Sequence, residues 1–132
     1  MPHTLQKIDT PQAPKALGPY SQAISDGQYV FVSGQLPIDP VTGKLVEGDI
    51  QKSVSQVLEN MEAVLKAGGS DISHVMRVDI FLKDLNHFAL VNAAYAKKFV
   101  SATPPARQTV EVARLPMDAP VEMSCIAKII SK

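Results

Sequence analysis

The chain has 132 residues, a length typical of one domain, and we expect residues 1–132 to form a single domain. Lys and Arg total 13 and so do Asp and Glu, so the net charge gives no support for a nucleic-acid partner. One cysteine excludes an internal disulfide framework, and neither a secretory signal nor an apolar run of about 20 residues is evident; we therefore expect a soluble cytosolic protein without a membrane partner.

The first half of the chain predicts two strands and a helix. Residues 1–18 carry three prolines and are expected to run extended along the surface or to be partly mobile. Residues 20–24 and 28–35 have strand patterns, and the Asp26-Gly27 pair between them indicates a β-hairpin. Asp49 can cap a helix that ends at Gly68-Gly69. Its apolar residues recur at helical spacing: Ile50, Val54, Val57, Leu58, Met61, Val64 and Leu65.

The second half predicts a strand, a helix and two further strands. Residues 73–82 are rich in β-branched and apolar side chains. A helix follows from Asp84 or Asn86 and must end before Pro104. It is expected to bury Phe88, Val91, Tyr95 and Phe99 on one side. Residues 107–115 and 121–130 then alternate as strands.

The predicted order β, β, α, β, α, β, β indicates a mixed sheet whose two helices cover one face. The other face is expected to carry half-apolar sets on three strands. These sets are Tyr29, Phe31 and Ser33; Val75, Arg77, Asp79 and Phe81; and Glu122, Ser124 and Ile126. Such a composition is typical of a subunit interface, so the sequence predicts a closed oligomer.

Five segments carry a resemblance to a known family. They are "GPYSQA" (18–23), "VSGQLPID" (32–39), "VNAAYAKKF" (91–99), "PPARQTVEVARLP" (104–116) and "VEMSCIAKI" (121–129). In order and spacing they resemble the RidA (YjgF) family across nearly the whole chain. The resemblance implies an α+β, chorismate-mutase-like fold, with two helices on one face of the sheet, and a homotrimer that forms a central barrel.

The resemblance also implies an activity. Enzymes of the family hydrolyse reactive enamines and imines such as 2-aminoacrylate, 2-iminobutanoate and 2-iminopropanoate to 2-keto acids and ammonia, in clefts between subunits. They use no metal or organic cofactor. A cytoplasmic 2-iminobutanoate/2-iminopropanoate deaminase is therefore expected, one that removes by-products of pyridoxal-phosphate enzymes.

Motif residues of the family match specific positions of this chain. The implied catalytic residues are Arg107, Glu122, Tyr20 and Ser33, and the implied substrate-binding residues are Arg107, Gly34, Asn92 and Thr109. Thr109 stands where many bacterial members have a cysteine, which excludes a reactive thiol there. Cys125 lies in an apolar alternation and is expected to be buried, while His3, His74 and His87 lack metal-ligand spacing.

The implied chemistry suits these residue types. A guanidinium binds a carboxylate through two parallel charge-assisted bonds, which assigns Arg107 to the substrate carboxylate. A carboxyl group can position water and exchange protons at the imine carbon, which assigns Glu122. If the last strand is antiparallel to its neighbours, Glu122 lies near Ser33 while Arg107 opens a strand at the opposite edge. Six or more residues then separate them, and two chains must share the site.

Other interpretations of the same residues stay open. Taken alone, Arg107 is typical of a surface ion pair, Glu122 of a strand-edge charge, Tyr20 of an interface aromatic and Ser33 of a satisfied strand hydroxyl. Two other functions use the same clefts. One is a regulatory protein that binds keto acids without turnover; the other is an endoribonuclease or translation inhibitor, which the balanced charge disfavours.

Overall fold

The computed structural model describes residues 4–130 and has an α+β architecture. Its six strands form one sheet, and two α-helices are present in the described chain. The strands are β1 (Gln6–Ile8), β2 (Ala23–Ser25), β3 (Tyr29–Gln35), β4 (Val75–Leu82), β5 (Ala106–Glu111) and β6 (Val121–Lys128), and the helices are α1 (Ile50–Ala67) and α2 (Phe88–Lys98).

The sheet is mixed, as predicted. Its strand order is β1-β2-β3-β6-β4-β5, so β6, the last strand in sequence, lies in the middle. β6 is antiparallel to both β3 and β4, whereas β4 and β5 are parallel. β5 is therefore an edge strand, and α2 connects it to β4, as a parallel pair requires.

The helix α1 forms where the sequence predicts it. The Asp49 carboxylate accepts a hydrogen bond from the Lys52 N–H at 2.9 Å, which satisfies one free donor of the first turn. The Gly68 N–H donates to the Val64 and Leu65 carbonyls at 3.0 Å and closes the last turn. The whole predicted apolar stripe is buried, and each of its larger side chains contributes roughly 1.5–3 kcal/mol.

The two faces of the sheet differ in what covers them. Side chains of the face under the helices are buried; on β6 these are Val121, Met123, Cys125 and Ala127. We call the opposite side the open face. On β6 it carries Glu122, Ser124 and Ile126, which are intermediate in exposure. Phe31 of β3 lies on the same face and is 48% exposed.

One member of the predicted open face lies on the other side. The pairing of β4 with β6 shifts between Val75 and Arg77, which marks a β-bulge at Met76. Because a bulge adds one residue and inverts the alternation, Val75 pairs with Ala127 and is buried under the helices, while Arg77 lies on the open face. The interpretation of Val75 as an interface residue is therefore wrong.

The N-terminal segment is more ordered than the sequence indicates. β1 pairs with β2, and Ile8 and Ala13 are buried in the core. The buried amide of Gln22 holds the segment: its Nε2 donates to the carbonyls of Thr10 and Pro14, at 3.0 and 2.8 Å, and its Oε1 accepts the Thr10 N–H at 2.8 Å. Residues 1–3 and 131–132, with the His3 prediction, lie outside the described residues.

Several predicted boundaries are also wrong by a few residues. β2 begins at Ala23, because the Tyr20 N–H bonds to the Gly18 carbonyl and turns the chain away from the sheet. β5 ends at Glu111, since β4 offers no partner beyond the bond from the Val112 N–H to the Leu82 carbonyl. α2 begins at Phe88 after a short 3₁₀ turn.

The described residues contain no helix that is long and apolar enough to cross a bilayer.

Candidate functional site

Four of the predicted site residues lie on β3, on β6 or just before β2, three strands that are neighbours in the sheet. We call Tyr20, Ser33, Gly34 and Glu122 the acid half-site. A Cβ built on Gly34 would lie 2.6 Å from Glu122 Oε2, so only glycine leaves room for the carboxylate there. Ser33 precedes Gly34 on the same strand. The geometry therefore brings Glu122 next to the end of β3, as predicted.

The Glu122 carboxylate has no partner inside the described chain. It forms no ion pair or hydrogen bond with residues 4–130. Its side chain is half-buried, and this burial raises the pKa of Glu122 above its ordinary value. A partly desolvated carboxylate with free lone pairs can accept a proton or orient a water molecule.

Tyr20 and Ser33 are held by the backbone before β2. The Ser33 hydroxyl donates to the Ser21 carbonyl at 2.6 Å, and the Tyr20 hydroxyl accepts the Leu17 N–H at 3.3 Å. Tyr20 nevertheless remains 53% exposed, and its O–H is still free to donate. Both hydroxyls are thus oriented by hydrogen bonds within one chain, and Ser33 directly precedes Gly34, the residue that lies against the Glu122 carboxylate.

The other predicted residues gather at the β5 edge, beside α2. We call Arg107, Thr109, Asn92, Phe88 and Tyr95 the arginine half-site. Arg107 aligns with Val78 of β4, so its side chain lies on the helix-covered face of the sheet. There the guanidinium carbon is 4.9 Å from the Tyr95 ring centroid and 5.7 Å from that of Phe88. Both distances are within the range of cation–π contacts.

Arg107 has no acidic partner among residues 4–130. No carboxylate there lies within 4.0 Å of its guanidinium, and no hydrogen bond from it is formed to the described residues. The surface ion pair that Arg107 alone suggests is therefore not found in this part of the chain. Its five N–H donors are available to an anion from outside.

Three buried polar atoms in the arginine half-site also lack partners within the described chain. They are Asn92 Oδ1, Tyr95 Oη and Thr109 Oγ1. Asn92 follows Phe88 by four residues and precedes Tyr95 by three, which places all three on one side of α2. Thr109 shares the face of Arg107, two residues along β5. Since buried polar groups are normally hydrogen-bonded, this concentration is typical of a binding site.

Tyr95 of α2 and Cys125 of β6 are both buried between the helices and the sheet. Burial raises the pKa of Tyr95 to about 12, although the nearby Arg107 charge opposes the shift. Burial likewise raises the pKa of the Cys125 thiol to about 12. Cys125 is 3% exposed, which confirms the prediction that it is buried.

The two half-sites of one chain are on opposite faces of the sheet. Glu122 aligns with Phe81 of β4, on the open face, whereas Arg107 aligns with Val78, on the covered face. The two residues are separated by roughly 10 Å along the strands and roughly 10 Å across them. The predicted separation of six or more residues is too long, since the two aligned residues of β4, Val78 and Phe81, are only three positions apart. The opposite orientation still keeps the two side chains from one small ligand.

The described chain also contains cavities, one of them lined in part by the acid half-site. One of about 380 Å³ is lined by Tyr20 with Lys7, Lys15 and Gln22. Another of about 350 Å³ lies beyond the end of α2 and is lined by Phe99, Thr103 and Pro105. Within residues 4–130, no group of three or more His, Cys, Asp or Glu side chains is placed to hold a metal ion.

Sequence reasoning missed the role of two aromatic residues. The helical spacing of Phe88 and Tyr95 predicts core positions for both, and only Tyr95 is buried; Phe88 is 40% exposed. Their contact with Arg107 depends on the register between β4 and β5, which the local pattern does not encode. The signal that could have found them is the unpaired arginine at an edge strand next to an aromatic helix.

Comparison with known proteins gives consistent matches. The family model described as endoribonuclease L-PSP matches residues 10–129. A RutC family protein of Pyrococcus abyssi is 49% identical over 120 residues, covering 91% of this chain and 94% of that protein. The 2-iminobutanoate/2-iminopropanoate deaminase of Salmonella typhimurium is 46% identical over 122 residues, covering 91% and 94%.

Solved structures agree with the fold. The crystal structure of E. coli TdcF with bound serine superposes with a TM-score of 0.90 at 40% identity, covering 96% of this chain and 99% of that one.

Proposed function

The chain belongs to the RidA (YjgF) family, whose model is described as endoribonuclease L-PSP, and from this premise we propose that it is an imine deaminase. It hydrolyses 2-enamino and 2-imino acids, such as 2-aminoacrylate, 2-iminobutanoate and 2-iminopropanoate, to 2-keto acids and ammonia. The relative from Salmonella typhimurium carries the name of this activity. The serine bound to E. coli TdcF has the α-carboxylate that such substrates share.

The observation that carries the proposal is the free guanidinium of Arg107. It stacks on two rings and has no acidic partner among residues 4–130, so its donors can form a bidentate pair with a substrate carboxylate. Asn92 and Thr109, whose buried oxygens lack protein partners there, lie beside it and contact the same ligand. These three residues select a small α-carboxylate.

Glu122 supports hydrolysis at the neighbouring atom. An enamino acid first becomes the imine by gaining a proton at Cβ and losing one from nitrogen. The Glu122 carboxylate then orients a water molecule towards the imine carbon, where water adds to C=N and gives a tetrahedral amino alcohol. Proton transfer to nitrogen, through Glu122 and the Tyr20 and Ser33 hydroxyls, then releases ammonia and leaves the keto acid. Gly34 lets the reacting groups approach the backbone. Such imines hydrolyse readily in water, so binding and orientation supply most of the rate gain.

The site needs two chains. Because Arg107 and Glu122 of one chain are on opposite faces of the sheet, the arginine half-site of one protomer completes the acid half-site of its neighbour. The open face, with Phe31 48%, Met76 49% and Val110 38% exposed, is the surface that the neighbour covers. The assembly we propose is a homotrimer with clefts between subunits, acting in the cytoplasm without a metal or organic cofactor.

A coupled assay tests this function. A serine or threonine dehydratase generates the enamine, and keto-acid formation is followed with and without this protein. The wild type is expected to accelerate it, Arg107→Ala to lose that effect, and Arg114→Ala to keep it, since Arg114 is exposed outside the strands. Equal rates with and without the wild-type protein would contradict the proposal.

The same variants separate the two other functions of these clefts. A regulatory protein binds keto acids but releases no ammonia, so Glu122→Gln would leave its whole function unchanged. An endoribonuclease, as the family description reads, would cleave RNA whether or not Arg107 is present, and the balanced charge of the chain gives little attraction for phosphates.

A further inference from the structure

The environment of Arg107 indicates how its guanidinium is held. We propose that Tyr95 is a positioning residue, whose ring fixes the plane of the Arg107 guanidinium so that its N–H edge faces an incoming carboxylate. The proposal rests on the proposed function, because it assigns Tyr95 to the same carboxylate-binding step. Tyr95 does not touch the substrate and acts through Arg107.

The Tyr95 ring contacts two other planar groups, the Arg107 guanidinium and the Phe99 ring. The Arg107 guanidinium carbon lies 4.9 Å from the Tyr95 ring centroid. The Tyr95 ring also stacks on Phe99, with centroids 4.3 Å apart and an interplanar angle of 23°. Tyr95 and Phe99 are 7% and 8% exposed, so both rings are packed into the core. The ring against which the guanidinium lies is therefore held rigidly by its neighbours.

A rigid aromatic support is needed because no ion pair or hydrogen bond to residues 4–130 orients this side chain. Arg77, by contrast, is held by a carboxylate, that of Asp79 at 2.9 Å. A carboxylate beside Arg107 would compete with the substrate for the same donors. An aromatic ring attracts the cation through its face and leaves the N–H edge free, so it orders the side chain without occupying its donors.

Of the two rings near Arg107, Tyr95 is the one suited to this role. Phe88 is farther away, at 5.7 Å, and is 40% exposed, so its ring is less constrained. The Tyr95 hydroxyl is buried without a partner in the described chain, so the ring rather than the hydroxyl performs the positioning. Tyr95→Phe keeps the ring, whereas Tyr95→Leu and Tyr95→Met remove it while filling part of the volume.

The first experiment measures the Arg107 side chain directly, by NMR of the assembled protein without substrate. Protons of a guanidinium held over a ring face resonate upfield of their usual positions. The Arg107 Nε–H signal, assigned with Arg107→Ala, is expected upfield in the wild type and in Tyr95→Phe, and near its usual position in Tyr95→Leu and Tyr95→Met. A wild-type signal at the usual position overturns the proposal, even if the ring-free variants fail to fold.

The second experiment measures carboxylate binding by calorimetry, with 2-oxobutanoate as the probe. Removing the ring is expected to weaken binding by about 5- to 30-fold, which corresponds to a cation–π contribution of about 1–2 kcal/mol. Tyr95→Phe is expected to bind within about twofold of the wild type, because no hydrogen bond is lost. In the deaminase assay, Tyr95→Leu raises KM far more than it lowers kcat.

The outcomes separate the two proposals. Unchanged binding and unchanged Nε–H shift in a folded Tyr95→Leu overturn the role of Tyr95 and leave the deaminase function standing. A loss of binding in Tyr95→Phe equal to that in Tyr95→Leu also overturns it, since the hydroxyl would then be responsible. A wild type that binds 2-oxobutanoate through an ordered Arg107 but accelerates no imine hydrolysis contradicts only the proposed function.

Discussion

Within one chain, the two faces of the central sheet differ in how completely their side chains are buried. On β6 the covered side chains of Val121, Met123 and Ala127 are fully buried by the helices. The intervening residues Glu122 and Ser124 remain half-exposed on the open face. The covered face buries its apolar groups and forms the core. The open face leaves half-apolar strands and an unpaired carboxylate in solvent, which indicates that another molecule covers it.

Two arginines make the same contrast at the level of single residues. Arg77 lies on the open face and is paired with Asp79 of its own strand at 2.9 Å. Arg107, one strand away and on the covered face, has rings as neighbours and no acid within residues 4–130. The paired cation already has its anion, whereas the unpaired one is available for a ligand. Residue type alone does not distinguish them; their partners do.

Breaking the open face is expected to have the largest effect. Phe31→Asp places a charge in the centre of the proposed contact surface without touching either half-site, so the assembly separates and activity falls below about 1% of wild type. Light scattering and the deaminase assay measure the two effects, and circular dichroism checks that the fold remains. Val41→Asp, on a residue that is 91% exposed, is the control and keeps both properties. A fully active monomer of Phe31→Asp would show that one chain suffices.

Breaking the covered face costs stability instead. Ile80 is 0% exposed between the helices and the sheet, so Ile80→Ala is expected to lower the free energy of unfolding by about 2–5 kcal/mol. Denaturant unfolding at a fixed protein concentration measures the change. Val41→Ala is expected to stay within about 0.5 kcal/mol of wild type. A similar small change in Ile80→Ala would mean that the helices do not cover this face.

A pair of glycine substitutions separates activity from stability. In Gly34→Ala the new Cβ meets Glu122 Oε2 at 2.6 Å, and the flexible carboxylate moves away. We expect kcat/KM to fall about tenfold to a hundredfold with little loss of stability. Gly43 has open space around it but a φ of +75°, so Gly43→Ala costs about 1 kcal/mol of stability and leaves activity unchanged. Equal activity in both variants would show that Glu122 takes no part in the reaction.

The smallest effect is expected for the stability of Glu122→Gln. Burial raises the folded-state pKa of Glu122 above its ordinary 4.5, so between the two values the folded state binds more protons and stability falls as pH rises. The neutral amide of Glu122→Gln does not titrate, so this variant does not lose stability in the same pH range. Glu122→Gln should be more stable than wild type above that window, by on the order of 0.5 kcal/mol because the carboxyl is only partly buried, and equally stable below it. Thermal melts across pH measure the difference, and a destabilised variant at neutral pH would indicate a hidden partner.

The sequence predicts the parts of the fold that depend on local patterns. The cap at Asp49, the apolar stripe of α1 and the hairpin between β2 and β3 are confirmed because each is encoded within a few residues. The sequence does not predict β1, since three residues of an edge strand are too few to show an alternation of apolar and polar side chains. The alternation places Val75 on the wrong face, because the bulge at Met76 depends on the pairing with β6.

The candidate site divides in the same way. The resemblance identifies the side chains, and the proximity of Glu122 to Ser33 follows from the antiparallel course of β6. The orientation of Arg107 does not follow, because it is set by the register with a distant strand. The contacts of Arg107 with Phe88 and Tyr95 are likewise tertiary, so the aromatic residues next to it are known only from the structure.

Mixing two inactive variants tests most directly whether one site is built by two chains. Arg107→Ala and Glu122→Gln are each expected to be inactive alone. After equal amounts are unfolded and refolded together, about one interface in four joins an intact Arg107 to an intact Glu122, so about a quarter of the wild-type rate should return. If the mixture stays as inactive as its components while mixed assemblies form, both residues act within one chain, and the divided site is wrong.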